Sequence, residues 1–337
     1  MLEIQYKGVI HMRKALVVGI DDYSNFPLTG CVNDANCVAE FLSRHEDGSP
    51  NFDVLLKNNV QSKEKFLNLI SELFSGDSDI ALLYFSGHGF VNELGGYLVT
   101  PDVISRRSSY DFGVSMNDIL NLANQSKCKN KIIILDCCYS GALGECPEIR
   151  NEASVIGQGV TILTASRNSE NAAEIDGHGV FTTLLLAALE GGAADISGNI
   201  TPGSIYAYID QALKEWEQRP VFKTNISRFV VLRKVKAHVS AEVLRHITAY
   251  FPDPTQPHAL DPSYEYTNSP EVEHEYKQPY ADKNNVRVFK ELQKMVSAGL
   301  VKPVDEEHMY FAAMNSTSCR LTAIGQHYWN LVDRGRI

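Results

Sequence analysis

Over its first two thirds the chain alternates short β-branched runs with longer stretches in which apolar residues recur every three or four positions. The runs predict strands at Ala15–Ile20, Phe52–Leu56, Ile80–Phe85, Ile132–Asp136, Val160–Thr164 and Ile226–Leu232. Between them, Val32 to Arg44 has helical spacing, and Ser62 is placed to cap a helix from Lys63 to Phe74. Ser115 with Asp118 has the form of a capping box, and Thr201-Pro202 starts a helix running to about Trp216. This is the order of βαβ units. The predicted fold is α/β, a mostly parallel six-stranded sheet with helices on both faces, occupying residues 1–235.

The texture changes near Tyr250. Residues 236–282 read as the start of a helix followed by an acidic linker rich in Pro and Tyr, with prolines at 252, 254, 257, 262, 270 and 279. Its five tyrosines (250, 264, 266, 276, 280) offer the alternative of a segment pinned across the first domain. Then come an amphipathic helix from Asn285 to Ala298, Gly299-Leu300-Val301, β-like runs at Met309–Met314 and Ser318–Thr322, and a closing helix from Ala323 to Val332. Residues 283–337 are thus expected to form a small α+β domain, and their pattern resembles the second half of a winged-helix domain.

Composition narrows the class. With 337 residues, 44% of them hydrophobic and 21% charged, the chain is long and apolar enough for two globular domains, which excludes disordered, collagen-like and small disulfide-scaffold classes. Its longest apolar runs, such as Phe181 to Leu189, fall short of a membrane span, so no membrane partner is expected. A net charge of −10 suits a phosphate backbone poorly. From Val286 onward seven basic residues face five acidic ones, a balance too small to argue for nucleic acid, so the C-terminal domain is expected to bind a regulatory protein or to act in autoinhibition. Met1 to Arg13 lacks the apolar core of a secretory signal, and seven cysteines, two of them adjacent, suggest free thiols in a reduced, cytoplasmic setting.

Two of the predicted strands end in unusual residues. One runs into Ser86-Gly87-His88-Gly89 and the other into Asp136-Cys137-Cys138-Tyr139-Ser140-Gly141. In an open α/β sheet the carboxyl ends of the strands share one edge, where ligands bind, so His88 would meet a cysteine of the pair. A thiol with its ordinary pKa of about 8.5 is mostly protonated at neutral pH, and a histidine that takes its proton makes it a nucleophile. The plainer reading is a core histidine beside small buried cysteines. Vicinal cysteines do not match common zinc-ligand spacings, and no metal or other cofactor is expected. His178, in "GHGVF", repeats the Gly-His-Gly pattern but lacks a preceding strand, and reads as a helix-entry residue.

The strings "KALVVGIDDY", "LTGCVNDANCVAEFL", "YFSGHG", "ILDCCYSG", "VTILTAS" and "FVVLR", in this order between Lys14 and about Lys234, resemble the caspase-like cysteine peptidases, in particular the metacaspase, paracaspase and bacterial branch. The 50 residues between His88 and Cys138 match the spacing of the caspases. The resemblance makes His88 and Cys138 the catalytic dyad, since the family pattern aligns Cys138 with the nucleophile and Cys137 with a variable position. Strand alternation agrees in placing Asp136 and Cys138 on one side and Cys137 on the other.

The resemblance further implies an oxyanion hole formed by the amides of Gly89 and Cys138, and an S1 pocket lined by Asp34 and Asp136 with Ser86 and Cys31. Two carboxylates in a partly dry slot favour a guanidinium or ammonium over an aspartate, so the expected substrate is a protein or peptide cleaved after Arg or Lys. Few acidic residues (Glu93, Asp102, Asp111) follow His88, which makes calcium activation doubtful. Arg107 and Arg150, in expected loops, are candidate sites of self-cleavage. The expected role is limited proteolysis of a partner in stress or defence; the alternative is a silent scaffold or regulator acting through its C-terminal domain.

Overall fold

The computed structural model describes residues 13–92, 95–105, 112–138, 156–165, 174–175, 178–213, 220–269 and 276–337. The chain divides into two compact units: Met1–Asp195 with Asn199–Val235, and Ile196–Gly198 with Lys236–Ile337.

In the first unit the strands are β1 (Arg13–Gly19), β2 (Asp53–Asn58), β3 (Ile80–Asn92), β4 (Gly95–Leu98), β5 (Val114–Ser115), β6 (Asn130–Cys138), β7 (Val160–Thr164), β8 (Glu174–Ile175), β9 (His178–Gly179), β10 (Asn199–Ile200), β11 (Val221–Asn225) and β12 (Arg233–Lys234). The main sheet has the order β11-β7-β6-β3-β1-β2, with β4 and β5 extending it from β3. β2, β1, β3, β6 and β7 are parallel, while β11 is antiparallel to β7. β3 shows why it occupies the centre. Ala81, Leu83 and Phe85 face one core, Leu82 and Tyr84 the other, and all are fully buried. Such two-sided burial is what a near-continuous apolar run requires.

Helices α1 (Cys31–Ser43), α2 (Lys63–Leu73), α3 (Pro101–Ser105) and α4 (Met116–Gln125) follow the early strands. α2 buries Phe66, Leu69, Ile70 and Leu73 on one face of the sheet, together with Ile119 and Ala123 of α4. α1 buries Ala35, Val38 and Leu42 on the other face, beside the helices Val180–Ala187 and Pro202–Ala212. Ser62 and Ser115 cap α2 and α4 through their hydroxyl oxygens, as the sequence suggested. The helix begun by Thr201-Pro202 has its capping box, but ends at Ala212 rather than near Trp216.

The strand expected at Ile226–Leu232 is displaced. The antiparallel edge strand is β11, Val221–Asn225. The apolar run after it lies outside the main sheet, and the carbonyls of Val231 and Leu232 are taken by side chains instead of a neighbouring strand. Arg13 Nη2 donates to the carbonyls of Val231 (2.7 Å) and Leu232 (2.9 Å), and Asn51 Nδ2 donates to that of Leu232 (2.9 Å).

The described part of the expected linker, residues 236–269 and 276–282, packs as part of the second unit instead of running as an extended linker. Val239, Leu244, Ile247, Phe251 and Leu260 are buried in the core of the second unit with Phe289, Leu292 and Met295 of the helix Lys283–Ser297. β13 (His258–Ala259), β14 (Val301–Val304) and β15 (Ser318–Leu321) form an antiparallel sheet in the order β13-β15-β14. Prolines remove main-chain donors, so the carbonyls around them need others. Buried Asn268 supplies one, its Nδ2 lying 3.1, 2.7 and 3.1 Å from the carbonyls of Pro262, Lys277 and Pro279. Met309–Met314, expected as β-like, is a helix; Met309, Ala312 and Ala313 are buried at helical spacing.

Candidate active site

The carboxyl edge of the sheet brings together residues from three neighbouring strands. β3 and β6 pair Ser86 with Asp136, Gly87 with Cys137 and His88 with Cys138, and β1 pairs Gly19 with Ser86. His88 and Cys138 are therefore direct neighbours on adjacent parallel strands, whose spacing is about 4.8 Å. Cys137 is fully buried within the core on one face of the sheet, the small apolar role expected of it.

His88 is held mainly by the main chain. Its Nε2 lies 2.7 Å from the carbonyl oxygen of Phe26. A carbonyl only accepts, so Nε2 carries the hydrogen, and in the neutral ring Nδ1 keeps its lone pair and is the atom able to take a proton. Burial lowers the pKa of His88 and outweighs the opposing effect of the Phe26 carbonyl, favouring this neutral, basic form. The ring packs at 4.5 Å between centroids on Tyr23, whose hydroxyl accepts from the His88 amide (3.1 Å) and donates to the Val99 carbonyl (3.2 Å). Gly87 allows this packing: a Cβ there would come within 2.7 Å of both the Tyr23 hydroxyl and the Phe85 ring.

The segment that reaches His88 also sets α1. Gly30 precedes the helix and has no side chain to cap it; Asp21 does so from a distance, its Oδ1 accepting from Cys31 N (2.9 Å) and its Oδ2 from Val32 N (3.2 Å). The Asp21 carbonyl accepts from the amides of Tyr23 (2.9 Å) and Leu28 (3.0 Å), folding residues 21–31 into a closed loop.

Capped in this way, α1 points its first turn at the sheet edge and buries Asp34 and Cys31. Asp34 Oδ2 accepts from Ser86 Oγ (3.2 Å) and from the Gly179 amide (3.4 Å), and Oδ1 lies 2.7 Å from His178 Nδ1. Asp136 Oδ2 accepts from both the hydroxyl (2.7 Å) and the amide (3.2 Å) of Thr182. Since the Thr182 hydroxyl donates to Asp136, the Tyr84 hydroxyl, 2.6 Å away, donates to Thr182. Burial first, and repulsion from Asp136 second, push the pKa of Asp34 up to about 6, against the lowering effect of its bonds to His178 and Gly179. Tyr84 is driven well above its ordinary value by burial and by the same two carboxylates.

The four expected pocket residues, Asp34, Asp136, Ser86 and Cys31, are thus buried at the edge where His88 and Cys138 pair, and Gly89 follows His88 in β3. Arg107 and Arg150 lie outside the described residues. Among the described residues, no group of three or more His, Cys, Asp or Glu is placed to hold a metal ion, and no helix is long and apolar enough to cross a membrane. Sequence reasoning missed Asp21, Thr182, Tyr84 and the second role of His178. Of these only His178, through its repeat of Gly-His-Gly, carried a visible signal.

Comparison with known proteins yields one family, described as the caspase domain, whose model matches residues 12–231. The chain is similar to Metacaspase-1 from Debaryomyces hansenii, with 25% identity over 195 residues, 51% of this chain and 42% of that protein. It therefore spans less than half the length of the curated relative it matches. Among solved structures it is similar to caspase-1 from Spodoptera frugiperda, with 15% identity, coverage of 68% of this chain and 92% of that one, and a TM-score of 0.46. A second structure, described as pro-sf-caspase-1, shares 14% identity and covers 66% of this chain and 95% of its own, with a TM-score of 0.45.

Proposed function

Because the chain belongs to the caspase-domain family, we propose that it is a cysteine endopeptidase that hydrolyses peptide bonds after Arg or Lys. Cys138 attacks the scissile carbonyl after giving its proton to Nδ1 of His88, which returns it to the leaving amine; water then releases the acyl group from the thiol. The amides of Gly89 and Cys138 hold the oxyanion, a contribution of about 10²–10³ in rate for each such donor. Asp34 and Asp136 receive the P1 cation, with Ser86 and Cys31 completing the pocket.

One observation carries this reading: two carboxylates, Asp34 at 2% and Asp136 at 4% exposure, are buried within a few residues of the His88–Cys138 pairing. A guanidinium placed between two buried carboxylates can bond both through charge-assisted hydrogen bonds, which are strong where water is excluded. We assign the cleavage to limited proteolysis of a partner in stress or defence. The second unit is given a protein-binding role, in keeping with Phe311 at 45% and Ile324 at 54% exposure.

The test is a set of peptides varied only at P1, incubated with the native chain and with Cys138→Ala, with and without calcium. Cleavage after Arg or Lys that disappears in Cys138→Ala is expected. No Cys138-dependent cleavage under either condition overturns the peptidase reading, and cleavage after Asp overturns the pocket.

A further inference from the structure

The carboxylate pair already has a resident partner. Among the described residues Asp34 has three donors: the Ser86 hydroxyl and the Gly179 amide on Oδ2, and the imidazole of His178 on Oδ1. The Asp34 side chain is 2% exposed and that of His178 21%, so the imidazole is the more solvent-accessible member of the pair. A guanidinium must come within about 2.9 Å of a carboxylate oxygen to bond it. Oδ2 has two donors from the protein, and Oδ1 has the imidazole N–H.

The ring also lies against Asn33, the neighbour of Asp34 on α1, whose Nδ2 is 3.0 Å from Nε2 and 3.5 Å from Nδ1, over the face of the imidazole. An ionised carboxylate only accepts, so Nδ1 carries the hydrogen that goes to Asp34. The contact is built from residues 145 positions apart in sequence.

From this geometry we propose that His178 is a specificity-determining residue that occupies the Asp34 side of the S1 pocket in the substrate-free chain, and that a P1 guanidinium or ammonium binds by displacing it. The inference rests on the reading of Asp34 and Asp136 as the S1 pocket. No bond is made or broken beyond the exchange of hydrogen bonds: Asp34 loses the imidazole N–H and gains an N–H of the P1 cation, while the ring turns outward to water. The exchange subtracts from the affinity for every basic P1 residue and leaves the chemistry at Cys138 untouched.

Two measurements test it, and they fail separately from the parent reading. With a P1-Arg peptide at pH 8, His178→Ala is expected to lower KM by about three- to tenfold, the size of one hydrogen bond, with kcat unchanged. The group whose titration is followed is Asp34, which faces the imidazole and is also acted on by Asp136 of β6. Without the imidazole Asp34 holds its proton to higher pH, so the acid limb of 1/KM moves upward in His178→Ala, which a merely structural role would not produce. His178→Gln, which keeps an amide donor for Asp34, serves if the alanine variant misfolds; it is expected to fall between the two.

The second measurement needs no turnover. Agmatine, a bare guanidinium ligand, is titrated into Cys138→Ala while the His178 ring signals are followed by NMR and the affinity by calorimetry. The ring signals should move towards those of a free imidazole, and adding His178→Ala should tighten agmatine binding by the same three- to tenfold. Binding with unmoved His178 signals, equal or weaker binding without His178, or no binding to either protein overturns displacement. A peptide scan without cleavage after Arg or Lys, alongside agmatine that does displace His178, overturns the substrate reading and leaves the cation site standing.

Discussion

His88 and the Asp34–Asp136 pair stand at the same sheet edge, yet different parts of the chain hold them. His88 is fixed by its strand, by a main-chain carbonyl at Phe26 and by one aromatic neighbour. The carboxylates are fixed by side chains from the helix Val180–Ala187 and the β9 residues just before it: Thr182 on Asp136 and His178 on Asp34. The first arrangement tolerates changes of side chain at Phe26, because only its carbonyl is used. The second also uses the amides of Gly179 and Thr182, but its side-chain contacts, Ser86 and His178 on Asp34 and Thr182 on Asp136, depend on residue identity. Proton handling is therefore expected to be robust and charge selection easily altered, and this difference can be tested by substitution.

The largest effect should fall on the main-chain-held side. His88→Ala is expected to lower kcat/KM for a P1-Arg peptide by about 10²–10⁴, the usual weight of a general acid–base group. Phe26→Ala, by contrast, should leave kcat within about threefold, since the carbonyl remains. A loss with Phe26→Ala approaching that of His88→Ala, in steady-state kinetics, would break the comparison.

Next in size is Asp34→Asn. Removing one partner of a desolvated charge pair costs about 2–5 kcal/mol, so KM for P1-Arg should rise about 30-fold or more while kcat holds. A fall in kcat with KM unchanged would place Asp34 outside the substrate pocket.

A pH profile sharpens the contrast further. Asp34 has a folded pKa of about 6, above its ordinary 3.8, so its charge is present above pH 6 and lost as pH falls through that value. KM for a basic P1 should therefore rise as pH falls through about 6, while the acid limb of kcat, set by His88 with its lowered pKa, lies below the ordinary histidine value. Asp136→Asn removes the repulsion that raises Asp34, so the KM limb should shift to lower pH. The stability term has the same origin: ionised Asp34 destabilises the fold above about pH 6, relative to acid conditions in which both states are protonated.

The smallest expected effect is that of Thr182→Val. It removes the hydroxyl between Tyr84 and Asp136 in a fully buried position, and is expected to cost about 1–3 kcal/mol in urea unfolding. The kcat limb of His88 should not move. A shift in that limb would show that the two halves are coupled through the sheet.

This division also decides what could be read from the residues alone. The strings around His88 and Cys138 stood out because a histidine between glycines and a pair of cysteines each follow an apolar strand run, although β3 continues through Gly87-His88-Gly89 to Asn92 instead of ending there. Asp34 and Asp136 were singled out only through the resemblance, which is carried by equally local strings. The Phe26 carbonyl was not, because a carbonyl belongs to every residue. Thr182 and Tyr84 meet across 98 positions, and nothing in either run announces the other. The edge strand was misplaced for a similar reason: at the end of the apolar run the carbonyls of Val231 and Leu232 are met by Arg13 and Asn51, more than 180 positions away. The Pro-rich stretch read as a linker because Asn268, which supplies its missing donor, is a single polar residue within it.

The loop from Asp21 to Cys31 belongs to neither half. One end of it caps α1 and so aims Asp34; its middle holds the ring of His88. A ligand that pulled on this loop, or an exchange of it for the loop of a relative, would retime the proton and re-aim the charge at the same stroke. Rate and selectivity would then change together, as two readings of a single mechanical part.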